Sequence, residues 1–191
     1  MMQSHELKAM AQRYFETARK IVLDGEELTR MFFVQVGDDM HVVAAPCSGH
    51  EEDAAMVKIL RLMFAVWGAD SYCMVSEIWV SENPRYSPRA SEDPDRTEAI
   101  MLMTMQRVRG ESGETQDIAS VARAKITRDP VAVGELEWDE GARVGGRFAD
   151  LLPPPDAPKC PDNMKAEILA ALAKAVGNIG GRLEEFRETV H

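Results

Sequence analysis

The segment TEAIMLMTMQRV, residues 97–108, constrains this chain more than any other. Its run Ile100-Met101-Leu102-Met103 puts large apolar side chains at consecutive positions. Neighbouring side chains of a strand point to opposite faces, so such a run needs cover on both sides and belongs in the middle of a sheet. A partner lies close in sequence: SYCMVSEIWV, 71–80, is rich in aromatic and β-branched residues. The chain has to build a sheet around these two segments.

The remaining elements follow from periodicity. Over 4–23, Leu7, Met10, Ala11, Tyr14, Ala18, Ile21 and Val22 recur at helical spacing, with Ser4 as N-cap and Gly25 at the stop. TRMFFVQV (29–36) and HVVAAP (41–46) read as the arms of a hairpin around GDDM. Ser48 and Glu51 form a capping box for a helix over 49–67, striped by Ala55, Met56, Ile59, Leu60, Met63, Phe64 and Trp67. Residues 115–127 continue the meander, and VAVGELEW (131–138) reads as a last strand after the Asp129-Pro130 break. The Gly- and Pro-rich stretch 139–161 is expected to be largely irregular. Met164, Ile168, Leu169, Leu172 and Val176 stripe a helix over 162–176, and 182–190 reads as a further helical turn or two.

The order is α-β-β-α-β-β-β-(β)-α. Short connections between strands make the class α+β: a largely antiparallel sheet of about five to six strands with helices packed on a face. The expected organisation is a single α+β domain over 1–152, a Pro-rich linker over 153–161 and a C-terminal helical appendage over 162–191.

Composition narrows the function classes. A net charge of −10 without a basic stripe speaks against direct nucleic-acid binding. It leaves room for an acidic inhibitor that mimics nucleic acid. Cys47, Cys73 and Cys160 are odd in number and widely spaced, which is no disulfide framework, and no Cys-x-x-Cys pair exists. The first residues are charged and lack an apolar signal core, and no window has the apolar length of a membrane span. The expected location is the cytoplasm, with no membrane contact. Phosphate-binding, dinucleotide-binding, nucleophile-elbow and zincin motifs are all missing.

The unusual feature is the stretch between the two strong strands. Sixteen residues, 81–96, separate Val80 from Thr97, with prolines at 84, 88 and 94. Structureless loops this long within a compact domain are commonly functional or disordered. Arg85, Arg89 and Arg96 can pair with anionic oxygens, and Trp79 and Tyr86 offer stacking surfaces for a ligand. The plainer reading is a solvated loop whose acids neutralise its arginines. Glu77 interrupts an apolar strand and Glu98 opens the next. A carboxylate there needs a partner or its pKa rises, and Arg96 is a nearby candidate. The catalytic reading makes Glu77 and Glu98, with Asp93 and Asp95, a divalent-metal or general-base site. The structural reading, preferred here, turns Glu77 to solvent or into one ion pair. His41, Cys47 and His50 form a weaker metal or nucleophile candidate at a strand-to-helix junction, where an ordinary capped helix explains the same residues.

Ser76-Glu77-Ile78-Trp79, followed by Ser91-Glu92-Asp93-Pro94-Asp95-Arg96-Thr97-Glu98, resembles a stretch found in uncharacterised bacterial and phage-borne proteins. The resemblance covers about thirty residues and implies a common scaffold, with no activity attached. The reading that results is a non-catalytic binding or self-assembling module without a cofactor. Its contact is a second copy or a protein partner, engaged through 162–190. A metal-dependent hydrolase at the base of the 81–97 loop is the alternative, and the acidic mimic is a third.

Overall fold

The computed structural model describes residues 4–37, 39–46, 50–86, 90–110, 112–139 and 148–186. The elements run α1 (Ser4–Leu23), β1 (Met31–Val36), β2 (Asp39–Ala44), α2 (His50–Trp67), β3 (Ser71–Val80), β4 (Thr97–Arg109), β5 (Thr115–Arg128), β6 (Val131–Val133), β7 (Glu137–Asp139), α3 (Asp162–Asn178) and β8 (Arg182–Phe186). All described strand pairs are antiparallel. The sheet order is β6-β5-β4-β3-β1-β2-β8, with β7 also paired to β5. The class is α+β as expected, and β4 with its apolar run lies inside the sheet.

Among the described residues the sheet has eight strands, more than the five or six expected. Two causes account for the excess. The 131–138 run is split in two, and both pieces, β6 and β7, pair with the 14-residue β5. Between them Gly134 donates its N–H to the Lys125 carbonyl at 2.8 Å. The second cause is β8. Residues 182–186 are a strand on the edge of β2, where a helical turn was expected. Gly180 turns the chain at φ +78°, and the open edge of β2 satisfies backbone groups that an isolated helical turn would leave to water.

Helices cover both faces of the sheet, where cover on one was expected. Alternation along the strands sorts side chains into two cores. Phe33, Cys73, Val75, Ile100, Leu102, Ala122 and Ala124 meet Phe15, Ala18 and Val22 of α1. Phe32, Val34, Tyr72, Met74, Met103 and Met105 meet Met56, Leu60, Met63 and Phe64 of α2, with Val176 of α3. Leu151 and Leu152 of the otherwise irregular 148–161 stretch are buried in this second core. The helix stop expected at Gly25 holds, and α2 ends the same way at Gly68: their φ are +79° and +74°. Only these left-handed conformations let the chain leave at those points, and a side chain there would be strained. Ser48 of the expected capping box lies outside the described residues.

Candidate functional site

One face of the sheet changes character along its length. On β3 the side chains facing α1 run Cys73, Val75, Glu77, Trp79; on β5 they run Ala122, Ala124, Ile126, Arg128. Glu98 of β4 stands opposite Trp79 on one side and Ile126 on the other. The apolar core thus ends in a half-exposed patch of charges. Arg128 bridges both acids, its Nη2 donating to Glu77 Oε1 and its Nε to Glu98 Oε2. The Glu77 and Glu98 side chains are 24% and 18% exposed. Arg128 is held above its ordinary pKa, first by its hydrogen bond to Glu98.

The arrangement brings Glu77 and Glu98 together at the loop base, as the pairing of the two strands implied. Their partner is Arg128, however, in place of the expected Arg96. Arg128 is 51 residues from Glu77 and acts only through the register of three strands. Its single sequence signal is a cation at a strand end on the same parity as Ala124 and Ile126. Arg96 instead lies over the Trp79 ring at 4.4 Å from the centroid, close enough for a cation–π contact. It also donates through Nη1 to the Asp93 carbonyl at 3.1 Å.

Asp93 belongs to the loop itself. It is 3% exposed, accepts from the Ser81 hydroxyl, and accepts the Asp95 N–H at 2.9 Å. The described part of 81–96 contains two short 3₁₀ turns, Pro84–Tyr86 and Ala90–Glu92. Asp95 is exposed. Arg85 sits in the first turn, its backbone N–H donating to Asn83 Oδ1 at 3.1 Å. The side chain of Tyr86 and all of Arg89 lie outside the described residues. No group of three or more His, Cys, Asp or Glu side chains among the described residues is placed to hold a metal ion. A cation between Glu77 and Glu98 would have to displace Arg128 from both.

Beside this patch, β3 outruns β1. The register ends at Met31↔Val75, so Ser76–Trp79 line a cleft with Glu27–Arg30, Ala45 and Pro46. Its volume is about 400 Å³, and Trp79, 42% exposed, stands at its wall. Arg30 is tied to Asp53 at 2.7 Å. Of the other candidate trio, only the His41 side chain is among the described residues. His41 stacks on Trp67 with centroids 4.4 Å apart, while Cys47 and the His50 side chain lie outside the described residues.

The C-terminal segment presents a different surface. Pro158 and Lys159 share a cleft with Ala65 and Gly68 at the end of α2, while Val176 adjoins Met56 near its start. The two helices are therefore antiparallel neighbours. Only Val176 of α3 is fully buried. Leu172, Leu169 and Ile168 are half-buried, and Met164 is 48% exposed. β8 follows directly and stands at the end of the sheet order among the described residues. Among the described residues no helix is long and apolar enough to cross a membrane.

A family model described as bacteriophage lambda protein ea47 matches residues 1–144. That span exceeds half of the chain, and the chain belongs to this family. The match takes in the Glu77–Arg128–Glu98 patch and stops before α3 and β8. No curated protein and no solved structure matches.

Proposed function

We propose that this member of the phage lambda ea47 family works by binding rather than by catalysis, and that it self-associates through its C-terminal segment. The observation that carries the reading is the incomplete burial of α3. An amphipathic helix of 17 residues leaves Met164 exposed and three further stripe residues half-exposed. Helices draw most of their stability from burying such a stripe, and a second copy supplies the missing cover. At the loop base, the arginine already clamping both carboxylates supports a structural role for Glu77 and Glu98. Trp79 and Arg96 beside the cleft are the residues we assign to any further protein contact. The module needs no cofactor and no nucleic acid for this role.

The test is sedimentation of the full chain over a wide concentration range, beside Met164→Glu and Ile168→Glu. A concentration-dependent dimer in wild type that both variants shift to monomer is the expected result. A wild type that stays monomeric throughout overturns the reading. The hydrolase alternative is separated by melting with divalent ions: it requires a rise in melting temperature that Glu77→Ala abolishes.

A further inference from the structure

We propose that the second copy docks strand to strand on β8, so that two sheets join into one across a two-fold axis. This rests on the self-association reading above and names its surface. β8 pairs with β2 on one side, and among the described residues nothing pairs with the other. An uncovered edge strand is a template for another strand.

The sequence of β8 selects the register. In an antiparallel pair, residues whose amides point outward oppose one another, so two identical strands can meet only about a residue. Centring on Arg182 sets arginine against arginine. Centring on Glu184 or Glu185 sets glutamate against glutamate, and opposed like charges are unfavourable. Centring on Leu183 sets Leu183 against itself and each Arg182 opposite the other copy's Glu184. Within the chain, Arg182 lies opposite Ala44 of β2, which offers no charge.

The helices fit the same operation. A two-fold relating antiparallel neighbours stands perpendicular to the sheet and keeps each face on its own side. α3 packs against α2 and β8 and is the helix nearest this edge. The two α3 helices therefore arrive side by side on one face, where Met164 and Ile168 can be covered. Centred on Leu183, the two β8 strands face one another over 182–184 alone, far less than a stable interface, and the helical layer supplies the rest.

The experiment uses the full chain and three variants, Arg182→Glu, Glu184→Arg and the double exchange, with sedimentation equilibrium as readout and circular dichroism as a check on folding. Each single change turns two opposite-charge pairs into like-charge pairs, and should weaken dimerisation about tenfold. The double exchange restores complementarity and should return the wild-type constant to within about twofold. A wild-type dimer indifferent to the single changes, or not rescued by the double, overturns the β8 register while leaving self-association intact. A monomeric wild type overturns both.

Discussion

Tyr72 and Cys73 are adjacent on β3, face opposite cores and are both fully buried. Burial raises the pKa of each above its ordinary value, 10.0 for the phenol and 9.0 for the thiol. The folded state keeps both protons while the unfolded chain loses them. Stability is therefore intact below about pH 9 and falls as pH rises through 9.0 and then 10.0, by up to about 1.4 kcal/mol per pH unit for each group. Tyr72→Phe removes one of these groups. It also removes the phenol's hydrogen bond to the Phe148 carbonyl at 2.6 Å, at a cost of about 1 kcal/mol near neutrality. Urea unfolding of the variant should show a shallower alkaline decline than wild type. Parallel declines would mean that the folded phenol ionises freely.

At the scale of elements, β8 and α3 depend on the tight passage at Gly181. A Cβ built there would lie 2.6 Å from Val176 Cγ1 and 2.8 Å from the Ala44 carbonyl oxygen. The backbone oxygen cannot rotate away, so Gly181→Ala must push β8 off β2 or α3 off its core. The expected loss is about 1–3 kcal/mol, with faster amide exchange along β2 and β8. Gly177→Ala is the matched control. Its Cβ meets nothing within 4 Å, and the exchange should stabilise α3 by up to about 1 kcal/mol. Equal behaviour of the two variants would remove the argument that packing at Gly181 fixes the strand.

For the whole molecule, the sheet is shared by both cores, and its two outer edges differ. One ends in β6 and β7 against β5; the other ends in the short β8. If association runs through β8, the dimer and the fold are linked by mass action. The melting temperature should then rise with protein concentration, since each tenfold increase adds about 1.4 kcal/mol per dimer. A melting curve unchanged over two decades of concentration would place the associating surface, if any, outside the cooperative unit.

Much of this was legible in the residues. Local patterns located α1, α2, β3 and β4 to within a residue or two, because period and glycine stops act over a few neighbours. The run at 100–103 placed β4 inside the sheet, since consecutive apolar side chains need cover on both faces. Pairing across the loop brought Glu77 near Glu98 for the same local reason. Three things were decided only by tertiary structure. Arg128 reaches Glu77 and Glu98 through the register of three strands, a relation no spacing in the chain encodes. Residues 182–186 joined the sheet because β2 offered an open edge, and edge pairing outweighs a weak helical preference. The helices divided between two faces because each strand of the inner sheet carries apolar side chains at both parities, which one layer of helices cannot cover.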